Sequence, residues 1–167
     1  MKYCMECGTK LEGSYLEGEG MIPYCKTCNQ YRFPGFNTAV SMIVMNKSQD
    51  KILLIQQYGK KDLILVAGYV NKGENAEQAV VREIGEELGL EVSDVQYNRS
   101  QYFEKSNTLI FNYTCTVVDE KLDGITEEVD YAEWFSIEEA QQRIKKNSLA
   151  QAFLNDYINN RKASSLK

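Results

Sequence analysis

Two groups of residues in this chain have types and spacings that could do chemistry. The first is Cys4-x2-Cys7-x17-Cys25-x2-Cys28. Two residues between thiolates let a tight turn bring both sulfurs to one ion, and two such turns complete a tetrahedron. The four cysteines are therefore expected to hold a closed, structural Zn2+, with Gly8 easing the turn after the first pair. The second group is Glu83, Glu86 and Glu87 in the segment GYVNKGENAEQAVVREIGEELGL, residues 68–90. Three carboxylates within one helical turn repel each other, and they stand at the end of the helix that the backbone dipole makes unfavourable for negative charge. Clustered carboxylate oxygens suit a hard divalent cation, Mg2+ or Mn2+.

What the composition lacks narrows the chemistry further. The 167 residues include no histidine, which excludes Ser-His-Asp and Cys-His catalysis and every His-ligated metal site. Net charge is −5. Residues 1–36 carry four basic and four acidic groups, so the excess belongs to the rest of the chain. Neither part offers the basic patch of a nucleic-acid binder. No apolar run at the start resembles a signal peptide, and none approaches the length of a membrane span, which points to a cytoplasmic protein with no membrane partner.

The elements that must position the glutamates follow from periodicity. Residues 38–45 and 52–56 read as a hairpin, 63–67 as a third short strand, and 75–88 as a helix stopped by Gly89. On a helical wheel Ala76, Val80, Ile84 and Leu88 form the buried stripe. Glu83 and Glu87 lie beside it, and Arg82 lies on the other side of the helix from Glu83. Residues 92–103 and 108–118 read as longer strands, the second with Cys115 as a small buried hydrophobe. A short strand follows at 131–135. Ser136-x-x-Glu139 is a capping box, and a last helix spans about 148–160 with Leu149, Phe153, Tyr157 and Ile158 on one face. Strands on both sides of one central helix imply a mixed sheet between helices, an α/β fold. The expected organisation is a ribbon at 1–34, a main domain at 35–161 and a flexible tail at 162–167.

The acidic segment also has the pattern Gly-x5-Glu-x7-Arg-Glu-Ile-x-Glu-Glu-x-Gly-Leu, carried by Gly68, Glu74, Arg82, Glu83, Ile84, Glu86, Glu87, Gly89 and Leu90. At every defined position it resembles the signature of the Nudix hydrolases. The resemblance implies an α/β/α sandwich with a mixed sheet, and hydrolysis of a nucleoside diphosphate linked to another group. A four-cysteine ribbon just ahead of such a domain, the aromatic-Pro step Phe33-Pro34, the entry Ala67-Gly68-Tyr69-Val70 and the pair Ser100-Gln101 resemble the zinc-ribbon-containing bacterial NADH pyrophosphatase branch. The resemblance covers about residues 3–160.

That branch implies a dinucleotide-type substrate, NADH or NAD, cleaved to AMP and nicotinamide mononucleotide. It implies substrate contacts at Tyr69, Ser100 and Gln101, and a homodimer in which the partner's aromatic at the place of Phe33 closes an adenine clamp. It also implies a further metal-linked glutamate at Glu128, with Glu127, Asp130 and Glu133 as neighbouring alternatives. Glu83, Glu86, Glu87 and Glu128 would hold the cations, Glu87 or Glu128 would take the proton of the attacking water, and Arg82 would orient Glu74 or Glu86. One segment departs from the branch. After Ser100-Gln101 its three prolines are gone, Phe103 stands in place of Trp and Thr108 in place of Ser, which predicts a different loop geometry. The departure keeps other readings open: the same chemistry on ADP-ribose, FAD or an NAD-capped RNA end, or a non-catalytic nucleotide sensor. A pyrophosphatase acting on oxidised nucleoside triphosphates agrees less well with the ribbon and the Ala-Gly-Tyr entry.

Overall fold

The four cysteines organise the start of the chain. In the computed structural model, which describes residues 1–164, Met1–Phe36 forms one compact unit and the chain from Asn37 forms another. Strands β1 (Glu12–Leu16), β2 (Gly20–Cys25) and β3 (Gln30–Tyr31) make an antiparallel sheet in the order β1-β2-β3. Cys4 and Cys25 are the buried residues of this unit, and no apolar cluster backs them. So small a core offers little to offset the entropy of ordering the segment, and the four clustered cysteines could hold an ion that would.

In the second unit the apolar residues of each strand divide between two cores. Strand β4 (Asn37–Met45) sends Val40, Met42 and Val44 to one side and Ile43 and Met45 to the other. Strand β5 (Lys51–Gln57) sends Leu53 and Ile55 one way and Ile52 and Leu54 the other. This is the period of two expected when both faces of a sheet are covered. Helix α1 (Ala76–Leu88) covers the first face with Ala79, Val80, Ile84 and Leu88. Helices α2 (Ile137–Arg143) and α3 (Leu149–Ser164) cover the second with Ala140, Phe153, Leu154 and Ile158. The layers are those of an α/β/α sandwich.

Strands β7 (Val92–Phe103), β8 (Thr108–Val117) and β9 (Val129–Ser136) complete the sheet in the order β7-β8-β4-β5-β9. The pairing of β4 with β8 is parallel and the others are antiparallel, so the sheet is mixed. The β4–β5 hairpin pairs only at Met45 and Ile52. Beyond that point β4 pairs with β6 (Val66–Tyr69) instead, from Met42 opposite Val66 to Ala39 opposite Tyr69. This fork delivers the end of β6 to the start of α1.

Several boundaries differ from the sequence reading, among them β9, which runs Val129–Ser136 and not 131–135. The short strand begins at Val66 and not at residue 63, because Leu63 and Ile64 are bridged to Ile144 and Ile55 and not to β4. Val118 lies outside β8 and is exposed. Residues 162–164, read as tail, continue α3, and residues 165–167 lie outside the described residues. Cys115 is fully buried against α1, as its place in the alternation requires.

Candidate active site

Local chemistry fixes α1 at both ends. The Gln78 amide donates to the Asn75 side chain at 2.8 Å, and the Asn75 amide donates back to the Gln78 side chain at 3.0 Å. This reciprocal cap satisfies two of the helix's free amides. Gly89 ends the helix at φ +67°. It lies so close to Gly124 that a Cβ on Gly89 would come within 2.7 Å of the Gly124 Cα. The Thr126 amide donates to the Glu87 carbonyl at 3.0 Å. The segment between β8 and β9 is thus fastened to the last turn of α1, which brings Glu128 to the carboxylates of that turn.

Arg82 organises the other side. It donates from Nε and Nη2 to both carboxylate oxygens of Glu74, at 2.8 and 2.9 Å, and from Nη2 to the Tyr69 carbonyl at 2.9 Å. Its Nη1 donates to Glu83 Oε1 at 2.8 Å and Glu86 Oε2 at 3.0 Å. The guanidinium holds the Glu74 carboxyl below the usual carboxylate range. Arg82 therefore ties the end of β6, the loop and α1 together and bonds both Glu74 and Glu86. The expectation that it lies away from Glu83 is corrected: its long side chain folds along the helix and reaches Glu83 as well.

The carboxylate of Glu83 packs onto bare backbone. A Cβ at residue 68 would sit 2.0 Å from Glu83 Cδ, so only glycine fits there. Gly68→Ala must displace Glu83. A shift of about 1 Å at a reacting centre can cost about a hundredfold in rate, which is the loss expected in a steady-state assay of this variant. Unchanged turnover would mean that the position of Glu83 does not matter.

Glu87 is the buried carboxylate of the group, 4% exposed. Burial, reinforced by the charges of Glu83, Glu128 and Glu86, pushes its carboxyl up to about 7, against a hydrogen bond donated by Gln57 Nε2 at 3.1 Å. A cavity of about 480 Å3 is lined by Glu83, Glu86, Glu87, Thr126, Glu127 and Glu128. A second, of about 390 Å3, shares Glu83, Glu87 and Glu128 and extends past Gly68, Tyr69, Tyr58, Ser106 and Thr108. Glu128 lines both cavities. Of its alternatives, Glu127 lines the first, Asp130 accepts from the Gly59 amide at 2.7 Å, and Glu133 accepts from the Tyr131 hydroxyl.

The donor set fits divalent cations. It is all carboxylate, and Arg82 bonds one oxygen each of Glu83 and Glu86 and leaves their second oxygens. Glu87 is buried among like charges that this one guanidinium does not neutralise. In the first unit the four sulfurs gather within 4.8 Å of one another. The Cys7–Cys25 and Cys4–Cys28 separations are 3.4 and 3.9 Å, close to the edge of about 3.8 Å that a tetrahedron with 2.3 Å arms requires. All five cysteines of the chain are free. Arg32 Nε donates to Cys4 Sγ at 3.3 Å and holds that thiol down at about 6. The Cys28 amide donates to Cys25 Sγ at 3.4 Å. Such donors stabilise thiolates, the form a zinc ion takes.

Comparison with known proteins identifies the family. The NUDIX domain model matches residues 35–157. The chain belongs to the Nudix family. The Nudix chain is 28% identical over 159 residues to an NAD-capped RNA hydrolase NudC from Pseudomonas aeruginosa, across 94% of its own length and 55% of the relative's. It thus spans about half the length of that curated relative. A crystal structure of a NUDIX hydrolase from Nitrosomonas europaea superposes with a TM-score of 0.73 at 19% identity, over 98% of this chain and 93% of the other. The NUDIX domain of Shewanella oneidensis NrtR, solved with ADP ribose, superposes with a TM-score of 0.63 at 15% identity, over 82% and 93% of the two chains. These two likenesses concern the fold. Nudix hydrolases use divalent metals, and the carboxylate cluster is where this chain could hold them. No helix of the described residues is long and apolar enough to cross a membrane.

Ser100 and Gln101, expected as substrate contacts, stand apart from the cavities. Ser100 and Gln101 pair with Phe111 and Ile110 within β7 and β8 and line neither cavity described above. Gln101 accepts from Arg99 at 2.9 Å. Without the prolines the strand continues to Phe103, a single 3-10 turn follows at Glu104–Ser106, and Asn107 turns back at φ +50°. That turn presents Ser106 and Thr108 to the cavity instead. Gln57 and Tyr58 were also missed. The signal for Gln57 was available, since Leu53, Ile55 and Gln57 share one strand face and an amide on an otherwise apolar stripe needs a polar partner.

Proposed function

We propose that this chain hydrolyses the P–O–P bridge of a dinucleotide-type substrate, NADH or NAD, to AMP and nicotinamide mononucleotide. The observation that carries this reading is Glu87, a buried carboxylate facing Glu83 and Glu128 where two cavities meet. Divalent cations held by Glu83, Glu86, Glu87 and Glu128 would neutralise the diphosphate and lower the pKa of a water toward neutrality. Glu87 or Glu128 would accept that water's proton as general base. Arg82 holds Glu74, Glu83 and Glu86 in place and does not touch the substrate.

Tyr69 is 57% exposed and lines the 390 Å3 cavity, so its face is available to stack on adenine. Phe33 is 53% exposed. In a homodimer the partner subunit's Phe33 would close the clamp, as in the branch this chain resembles. Structural Zn2+ at Cys4, Cys7, Cys25 and Cys28 would hold the unit that carries Phe33. The name of the Pseudomonas aeruginosa relative supports a second substrate of the same chemistry, an NAD-capped RNA end.

Product analysis with Mg2+ or Mn2+ on separate NADH, NAD, ADP-ribose, FAD, nucleoside triphosphate and NAD-capped RNA samples tests the proposal. AMP and reduced nicotinamide mononucleotide, formed fastest from NADH, is the expected result. Faster cleavage of capped RNA selects the second substrate, and cleavage of none overturns the hydrolase reading.

A further inference from the structure

The turn after β5 holds a residue that its backbone disfavours. Tyr58 has φ +58° and Gly59 has φ +66°, and the Lys60 amide donates to the Gln57 carbonyl at 3.2 Å. Positive φ at both central positions is the pattern of a type I′ turn, whose first central position favours Asn, Asp or Gly. A bulky residue there is strained by about 1–2 kcal/mol. Packing does not compensate for it, because Tyr58 is 78% exposed.

The turn is nevertheless rigidly placed. On one side Gln57 donates to Glu87, and on the other the Gly59 amide donates to Asp130, two residues beyond Glu128. Tyr58 lines the 390 Å3 cavity, as do Tyr69 and the carboxylates Glu83, Glu87 and Glu128. Strain of this kind collects where a side chain must meet a ligand. An exposed aromatic face in a polar cavity recognises a planar ring.

We propose that Tyr58 is a second stacking platform of the site, which selects substrates carrying a planar ring at both ends of the diphosphate. The assignment rests on the dinucleotide reading above and adds a residue that sets specificity within it. Tyr69 takes one ring and Tyr58 the other. ADP-ribose, which ends in a bare sugar, makes no use of Tyr58.

Methylene-bridged analogues of NAD and of ADP-ribose, which resist hydrolysis, give a readout independent of turnover. Their binding is measured by calorimetry in Mg2+ on wild type, Tyr58→Asn and Tyr58→Phe. Asn suits the turn, so Tyr58→Asn should melt about 3 °C higher than wild type. It should bind the NAD analogue about tenfold more weakly and the ADP-ribose analogue within about twofold of wild type. Tyr58→Phe keeps the ring and should retain the affinity. A role confined to the fold would lower the melting temperature and spare the discrimination. Equal weakening of both analogues, or of neither, overturns the assignment and leaves the hydrolase reading intact. Wild type that binds and discriminates the analogues but cleaves neither parent compound overturns the hydrolase reading and leaves Tyr58 assigned. Wild type that binds neither analogue overturns both.

Discussion

Glu87→Gln is expected to lower turnover by about a thousandfold or more while the fold is kept. The substitution changes little in shape, and the Gln57 amide can still donate to the new side chain's oxygen. It removes a cation ligand and a candidate base at once. The same variant makes a second, opposite prediction for stability. The folded chain holds the Glu87 proton up to about 7, above the 4.5 of a free glutamate, so folding is favoured by protonation there. That contribution is fully present below about 4.5 and is lost as pH rises through 7.

In chelator, Glu87→Gln should therefore match wild type near pH 5 and gain on it toward pH 8, by up to about 3 kcal/mol. Divalent cations should reverse the order at pH 8, because they bind the wild-type carboxylate. Denaturant unfolding at the two pH values, with and without Mg2+, measures both signs. A variant that keeps full turnover, or one that loses stability in chelator at pH 8, contradicts the role given to Glu87.

Removing zinc is the perturbation with the next largest effect. Structural zinc sites bind with about 10–16 kcal/mol of free energy, far more than the Met1–Phe36 unit could supply from its two buried cysteines. A strong thiol-compatible chelator, or Cys25→Ser, should unfold that unit. Limited proteolysis should then cut within residues 1–36, while elemental analysis of the untreated protein finds one zinc per chain. Persistent protection of 1–36 in metal-free protein would show that the ribbon orders itself without an ion.

The parts of the molecule legible in the sequence are those fixed by local chemistry. The cysteine spacing, the stop at Gly89 and the box at Ser136 and Glu139 each act over a few residues, and the structure has them all. Strand β8 was legible from its alternation, and β4 and β5 from their short runs of branched apolar residues. What escaped depends on contacts between distant segments. The start of β6 depends on the fork that separates β4 from β5. The reach of Arg82 to Glu83 depends on a side-chain path that a helical wheel does not draw. Substrate contacts are expected at Ser100 and Gln101, yet Ser106 and Thr108 line the cavity, because β7 runs on to Phe103 and the turn comes after it. Tyr58 combines both difficulties, since its strain is visible only in the backbone and its surroundings only in the folded sheet.

The account turns on one claim, that the carboxylates of α1 and Glu128 gather cations to split a diphosphate with water. Its most direct test is mass analysis of the products from NADH in heavy-oxygen water, with Mg2+ or Mn2+ and, separately, with chelator. The account predicts AMP and reduced nicotinamide mononucleotide, one of them carrying a single heavy oxygen, and no cleavage in chelator. Intact NADH in the presence of both cations, or cleavage that the chelator does not suppress, would contradict it.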